Sequence, residues 1–429
     1  MIVRMFIALF LLFGTSIFFD PAKIPRLSTT GFLGFINFGI IFYILILALR
    51  HFVMLFFSAL ETARREGLPP PNFFPPISII VPAYNEGVVI QRTIERLTQI
   101  NYPVFEILVI DDGSKDNTLE LALETAKNHP QTRVLTKPNG GKANALNFAI
   151  KESRYDLVFC MDADSIVHPD AMAVGARHLI DPNIVAVAGS VLVLNDNSIV
   201  GKFQTLEYLT GLNFYKAAQS FFGLVMIIPG PSGLFRKGAL NAIGGYETDT
   251  FAEDCDVTLR LLMNNGRVVF EPNMEVRTEV PGGFLQLIKQ RYRWNRGILQ
   301  ATRKHIGKVI TFYKDPASAV VVSYMFVESV ILPITNIFIG VLSLFYVFYA
   351  LDFTVASLWL VQLTLMDLAV VVMTLWDQRW SLDLLFYAFF NRFTYAFFQD
   401  IVKVLSMVEE FAGIRMNWGK LDRTGVSGP

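Results

Sequence analysis

Ile77-Ser78-Ile79-Ile80-Val81-Pro82-Ala83-Tyr84-Asn85-Glu86 decides the fold: a short, continuously apolar run that ends abruptly in polar residues. Apolar side chains at consecutive rather than alternate positions read as a strand buried on both faces. The same rhythm continues downstream. Residues 87 to 99 read as a helix, Glu106-Ile107-Leu108-Val109-Ile110 as a strand and residues 116 to 127 as a helix, and Val134-Leu135 and Leu157-Val158-Phe159-Cys160-Met161 are further strands. Strands separated by helices of that length predict right-handed crossovers and an α/β fold built on a mostly parallel sheet.

In such sheets ligands bind beyond the carboxyl ends of the strands, and the polar residues of this chain gather there. The first strand runs into Pro82-Ala83-Tyr84-Asn85-Glu86, the second into Asp111-Asp112-Gly113-Ser114 and the fourth into Asp162-Ala163-Asp164. Carboxylates converging on one crevice repel each other unless a cation or hydroxyl groups sit among them. Asp162 and Asp164, two residues apart on a turning chain, suit Mg²⁺ or Mn²⁺, which take hard oxygen ligands and can carry a diphosphate. Asn139-Gly140-Gly141-Lys142 places a glycine pair and a lysine at a helix start without P-loop spacing; it reads as a turn, or as a close backbone approach with a point charge for a phosphate oxygen. Gly230-Pro231-Ser232-Gly233 lacks the spacing of a hydrolase nucleophile and reads as a loop.

Two further clusters stand out. Phe251-Ala252-Glu253-Asp254-Cys255-Asp256 is acidic and precedes a helical pattern, where the helix dipole favours negative charge. About forty residues later Gln290-Arg291-Tyr292-Arg293-Trp294 lies in a basic and aromatic run, residues 284 to 305, that has the character of an interfacial amphipathic helix. Residues 203 to 222, aromatic with few charges, are a second interfacial candidate.

Composition sets the surroundings. The chain has 429 residues, 53% of them hydrophobic, with 38 Phe and 17% charged, and its mean hydropathy is +0.43. So much apolar surface exceeds what one soluble core hides, so a lipid bilayer is the expected partner. A formal net charge of zero gives no argument for nucleic acid, whose phosphates demand a basic surplus. Two cysteines, Cys160 and Cys255, make neither a disulfide framework nor a zinc site and read as reduced thiols in a cytosolic domain.

The apolar runs Met5 to Phe19 and Phe32 to Leu60 read as two spans within residues 1–62, since a bilayer takes roughly twenty apolar residues. The first has no small-residue cleavage site, which disfavours a signal peptide. Arg64 and Arg65 place the following domain in the cytoplasm, although Lys23 and Arg26 weaken that signal. Prolines stiffen the linker, residues 63–76. The α/β domain occupies 77–280, the interfacial helix 281–315 and further spans 316–380. Residues 381–411, with Arg392, Gln399, Lys403 and Glu410 on roughly one helical face, lie at the interface or line a polar path. Arg415, Lys420 and Arg423 make 412–429 a cytoplasmic tail.

In order, Pro-Ala-Tyr-Asn-Glu at 82–86, Asp-Asp-Gly-Ser at 111–114, Gly-Lys-Ala-x-Ala-Leu-Asn at 141–147, Asp-Ala-Asp at 162–164, Glu-Asp at 253–254 and Gln-x-x-Arg-Trp at 290–294 resemble the membrane-embedded inverting family 2 glycosyltransferases. These are the cellulose, hyaluronan, chitin and poly-N-acetylglucosamine synthases. The resemblance spans residues 77 to about 300 and implies a GT-A type domain embedded between N- and C-terminal transmembrane helices of the inner cell membrane. It further implies a nucleotide-sugar donor, most simply UDP-glucose or UDP-N-acetylglucosamine, a growing polysaccharide acceptor and an accessory export subunit. By resemblance Ala83, Tyr84, Glu86 and Asp112 line the nucleoside pocket, Lys142 and Arg293 approach the diphosphate, and Gln290 and Trp294 belong to the donor site. Asp162 holds the nucleotide sugar and shares the metal with Asp164, while Glu253 and Asp254 are catalytic, Asp254 as the general base. The family usually has Thr-Glu-Asp; Ala252 stands in the threonine's place. Transfer of a single sugar to a lipid is the alternative, and Gln-x-x-Arg-Trp argues against it because the family associates that motif with processive synthesis.

Overall fold

A computed structural model describes residues 31–350, 353–378, 383–392 and 394–414. The first apolar run, Met5 to Phe19, and the basic residues Arg415, Lys420 and Arg423 lie outside the described residues. Eight strands form one sheet: β1 (Ile77–Ala83), β2 (Phe105–Asp111), β3 (Thr132–Thr136), β4 (Leu157–Cys160), β5 (Ser165–Val167), β6 (Ile184–Val193), β7 (Gly233–Arg236) and β8 (Arg267–Thr278), in the order β3-β2-β1-β4-β7-β6-β8-β5. The side chains of β1 divide as a doubly covered strand requires. Ile79 and Val81 pack with Ile90, Ile94 and Leu97 on one face, and Ile80 packs with Leu146 and Ala149 of helix Lys142–Glu152 on the other. Both layers are buried, so β1 shows no alternation of polar and apolar positions.

The sheet is mixed rather than mostly parallel. Strands β3, β2, β1 and β4 run parallel, and so do β6 and β8, but β7 is antiparallel to both β4 and β6 and β5 is antiparallel to β8. Cys160 at the end of β4 pairs with Gly233 at the start of β7. The chain therefore re-enters the sheet from its ligand-binding edge, bringing Gly230, just ahead of β7, to the same crevice as the parallel strand ends.

The first described helix, Gly31–Glu66, is 36 residues long and runs through Arg64 and Arg65 into the stretch expected to be linker. Glu61 explains its persistence: almost fully buried, it accepts two hydrogen bonds from Arg64, each 2.8 Å, and one from Ser220 Oγ at 2.7 Å. Ser220 Oγ also accepts from the backbone N–H of Phe270 on β8 at 2.9 Å. One hydroxyl thus ties this long helix to the sheet through helix Tyr215–Phe221. That helix closes the stretch expected to be interfacial, which begins with Ile199–Glu207 and passes through a π-helix, Tyr208–Phe214.

Beyond the sheet, Pro316–Phe326, a π-turn and Leu332–Ala350 form one long rod, followed by Thr354–Gln378. Residues expected as a single run from 382 to 411 are two helices, Leu384–Asn391 and Tyr395–Phe411. Their polar stripe faces inward. Arg392 donates to Asp367 at 2.6 Å, and Glu410 accepts from Arg296 at 2.8 Å and Gln300 at 3.1 Å, which docks the last helix on helix Phe284–His305. Among the described residues, Gly31–Glu66 and Pro316–Tyr349 are long and apolar enough to cross a bilayer.

One buried carboxylate anchors the far edge of the sheet. Glu271 of β8 meets His178 Nε2 at 2.7 Å and Arg177 Nη2 at 2.8 Å. Burial pushes its pKa up, but His178, Arg65 and Arg177 outweigh burial and hold it down at about 2. The carboxylate's contribution to stability is therefore complete above the ordinary carboxyl range and fades as pH falls toward 2. Glu271→Ala, which strands a buried positive partner, is expected to cost about 3 kcal/mol, read as a lowered unfolding midpoint in detergent at pH 7.

Candidate active site

The crevice floor is made where the β1 and β2 loops bind each other. Asn85 adopts positive φ, its N–H donates to Ser114 Oγ at 2.9 Å, and its Oδ1 accepts from Lys115 N at 2.7 Å. The N–H of Glu86 donates to Thr118 Oγ1 at 2.7 Å, and that of Asp112 donates to Ala83 O at 2.8 Å. Ala83, Glu86 and Asp112 are thereby buried together with Tyr84 at their rim. Asp112 also does something its motif did not announce. Its carboxylate lies 2.5 Å from Lys137 Nζ and accepts from Gly140 N at 3.1 Å and Gly141 N at 2.8 Å, so it clamps the glycine pair that launches Lys142. Gly113, at φ +70°, must stay glycine, since a Cβ would lie 2.8 Å from Asn139 N.

Lys142, first residue of its helix, reaches across the crevice. Its Nζ is 2.5 Å from Asp162 Oδ1 and 3.3 Å from Glu253 Oε1. Burial works against its charge, but Asp162, Glu253 and Asp254 together hold the ammonium above the usual lysine range. Gly230 lies over it so closely that a Cβ would come within 2.7 Å of Nζ. Helix Glu253–Met263 begins at the acidic cluster. Asp254 accepts from Gly230 N at 3.2 Å and from Cys255 N at 2.8 Å. Burial, then the adjacent Glu253 charge, pushes its pKa up to about 6, while Lys142 and the two N–H groups restrain the rise. A carboxylate poised there is suited to taking a proton near neutral pH. A small cavity lined by Lys142, Cys160, Gly230, Tyr246, Glu253 and Asp254 adjoins it.

The other acidic groups separate by environment. Asp162 is open to the crevice beside Lys142, whereas Asp164 is buried, with Ser165 Oγ at 3.2 Å and Thr278 Oγ1 at 3.4 Å. Thr93 Oγ1 donates to Ala163 O at 2.6 Å and fixes the turn between them. Asp162 offers a hard oxygen at the crevice with Asp164 buried behind it, and these two carboxylates could hold a divalent cation. Glu247, Asp249 and Asp256 also approach one another, but Lys304 Nζ sits among them, 2.9 Å from Asp249 and 3.1 Å from Asp256. Asp256 further pairs with Arg260 and His305, each within 2.9 Å. It therefore points away from Asp254 as part of an ion cluster. Ser232 is fully buried with Oγ donating to Met274 O at 3.3 Å, as befits a loop residue rather than a nucleophile.

The basic-aromatic run is helix Phe284–His305. Within it the structure singles out Arg291, which the sequence did not: its Nη2 meets Glu207 at 2.6 Å, its guanidinium lies 4.2 Å from the Trp294 ring centre, and Gln290 Oε1 accepts from it. Trp294 packs on Tyr208, Val191, Val193 and Val280 at the ends of β6 and β8. Arg293 is partly buried beside it. The helix crosses the acidic cluster at Gly297, where a Cβ would lie 2.5 Å from Ala252 N and 2.7 Å from the Phe251 carbonyl carbon. Phe251 N donates to Gln300 Oε1 at 3.1 Å across the same crossing. A glycine within a helix-favouring run was the available signal for this contact. Asn147 of the Gly-Lys-Ala-x-Ala-Leu-Asn motif is a latch, bonding Tyr246 N at 2.8 Å and Tyr246 O at 2.7 Å.

Gly297→Val is expected to lever residues 251 and 252 off the helix, so limited proteolysis within 247–252 should accelerate. Gly307→Val, in open space, is the control expected to leave cleavage unchanged.

Residues 78–244 match the model of the glycosyl transferase family 2. Curated relatives include the poly-beta-1,6-N-acetyl-D-glucosamine synthase of Staphylococcus epidermidis, 34% identical over 226 residues, 52% of this chain and 54% of that protein. The synthase of the same name from Staphylococcus aureus (strain COL) is 35% identical over 224 residues, 52% of this chain and 54% of that protein. The chain thus spans about half the length of the curated relatives it matches. Among solved structures, a mannosyltransferase from Pyrobaculum calidifontis, in complex with GDP-Man and Mn2+, shares the fold at a TM-score of 0.61 with 19% identity, covering 89% of this chain and all of that one. The sheet, the crevice and the ordered motifs agree with the family match, so that residues 78–244 form a domain similar to those of glycosyl transferase family 2.

Proposed function

We propose that this protein polymerises a β-linked polysaccharide from a UDP-sugar, UDP-N-acetylglucosamine by preference, with inversion at the anomeric carbon. The observation that carries the reading is Asp254, held by two N–H groups beside Lys142 and Glu253 with its pKa raised to about 6. The names of the curated relatives favour N-acetylglucosamine.

The nucleoside occupies the floor at Ala83, Tyr84, Glu86 and Asp112. Lys142 exchanges its partner Asp162 for a diphosphate oxygen, aided by Arg293, while Gln290 and Trp294 close the donor side. The acceptor hydroxyl gives its proton to Asp254 as its oxygen forms the bond to the anomeric carbon, on the face opposite the departing nucleoside diphosphate. Glu253 keeps Asp254 basic and orients Lys142. Asp162 and Asp164 are the residues that would hold Mg²⁺ or Mn²⁺, which when bound supplies charge stabilisation to the leaving diphosphate.

A bilayer suits the long helices. Phe32, Phe35, Phe38, Phe42, Leu45 and Leu49 are exposed along Gly31–Glu66, an apolar stripe too large for water. We place the sheet domain on the cytoplasmic side of the inner membrane, with the inward-facing polar groups of the last helices beside the route by which the polymer leaves.

Incubating the purified, reconstituted protein with each UDP-sugar and sizing the product tests the reading. Release of UDP with a hydrolase-digestible polymer is expected, and a product limited to one sugar on a lipid would replace it with single transfer. Asp254→Asn should lower turnover by about 10³-fold with donor binding nearly intact. The turnover profile should fall below about pH 6, the raised value of Asp254. Because the Glu253 charge raises that value, Glu253→Gln should move the acid limb to lower pH.

A further inference from the structure

Arg291 has no place in the mechanism so far, yet it is only 2% exposed. Desolvating a guanidinium is costly enough that an ion pair barely offsets it, so a buried pair is weak evidence for stability. What this one supplies is a fixed plane. Both carboxylate oxygens of Glu207 accept from Arg291 Nε, at 2.9 and 3.2 Å, and Glu207 Oε2 also accepts from Nη2 at 2.6 Å. The remaining nitrogen, Nη1, donates to Gln290 Oε1. A guanidinium held along one edge and at its third nitrogen cannot turn, and its carbon lies 4.2 Å from the centre of the Trp294 ring. Arg291 thereby fixes both residues of its helix that close the donor side, as the bed under the Trp294 indole and as the donor that takes up the Gln290 amide oxygen.

Glu207 is held in turn from a third helix. Tyr395, first residue of helix Tyr395–Phe411, donates from Oη to Glu207 Oε2 at 2.6 Å. Its ring stacks on Phe203, about one turn before Glu207, with centres 5.4 Å apart and planes 4° from parallel. Directly after Glu207 the helix changes to the π-helix Tyr208–Phe214, an irregularity that often marks functional sites. The Tyr208 ring lies 6.4 Å from Trp294 and 5.8 Å from the Arg291 guanidinium. Contacts therefore run without a gap from Tyr395 through Glu207 and Arg291 to Gln290 and Trp294.

We propose that Glu207 and Arg291 are positioning residues for sugar transfer: the Glu207 carboxylate fixes the Arg291 plane, which fixes the Trp294 indole and the Gln290 amide at the donor side. Tyr395 extends that hold to the C-terminal helices. The proposal rests on Trp294 closing the donor side. An ion pair that only docked helices would be served as well by lysine. Lysine carries the charge but has neither a plane to stack on an indole nor a fork to share between Glu207 and Gln290.

The test reads UDP release against UDP-sugar concentration by the full chain in proteoliposomes, together with the unfolding midpoint. Arg291→Lys is expected to raise KM about tenfold, with kcat within about threefold of wild type and the midpoint close to it. Added to Trp294→Phe, it should cost little more, because both changes disturb one unit. Glu207→Gln, which keeps the shape and gives up half of the fork, should behave as Arg291→Lys does. Tyr395→Phe deletes one hydroxyl, should raise KM about threefold, and decides the matter should the other variants not fold. A KM left at the wild-type value, losses that multiply with that of Trp294→Phe, or a fall in kcat that only tracks the midpoint would make the pair a helix clamp and overturn the proposal. A wild-type KM in Trp294→Phe alone would instead remove Trp294 from the donor side, a failure of the underlying reading that the Arg291 and Tyr395 variants do not mimic.

Discussion

The crevice depends on one backbone crossing. Helix Phe284–His305 lies against residues 251 and 252 only because position 297 has no side chain and position 252 has a small one. This contact fixes where helix Glu253–Met263 starts, and so where Asp254 stands relative to Gly230 and Lys142. The same helix is clasped at its far side by Glu410 and by the carbonyl of Ile414, each bonded to Arg296 within 2.8 Å. An acidic cluster and a basic-aromatic one, forty residues apart in sequence, become one rigid unit through a glycine and an arginine.

Charge distribution follows from that geometry. Lys142 is placed among Asp162, Glu253 and Asp254, and it neutralises part of the crevice's negative charge. Because the glycine pair that launches Lys142 is itself held by Asp112, the crevice floor and Lys142 are tied together. The adjacent carboxylates then diverge: Asp254 is raised by burial and Glu253, whereas Asp256, two residues on, is brought below the usual carboxylate range by His305, Arg260 and Lys304, which overcome burial. Two acids of one motif acquire opposite characters from which face of a helix they occupy.

Much of this was legible in the sequence because it is local. Strands β1 to β4 appear within a residue or two of their expected limits, since continuous apolar runs bounded by Asn, Asp and Gly leave little alternative. The strand-end carboxylates followed from a general property of parallel sheets. What stayed hidden was set by long-range pairing. The antiparallel β7 depends on where the chain returns after helix Tyr215–Phe221, which periodicity does not encode. Arg291 rather than Arg293 engages Glu207, 84 residues away, and Asn147 latches Tyr246 across 99 residues. The polar stripe near residue 400 was visible, but its partners Asp367 and Arg296 lie on other helices, so its inward direction was not.

The central claim is a single base, Asp254, acting on the face opposite the leaving group. The anomeric configuration of the new linkage reports on this directly. With α-linked UDP-N-acetylglucosamine as donor and the reconstituted protein, NMR of the product's anomeric signals should show β linkages from the first transfer onward. Product with the α configuration would require retention, and would contradict the assignment of Asp254 as a base in one inverting displacement.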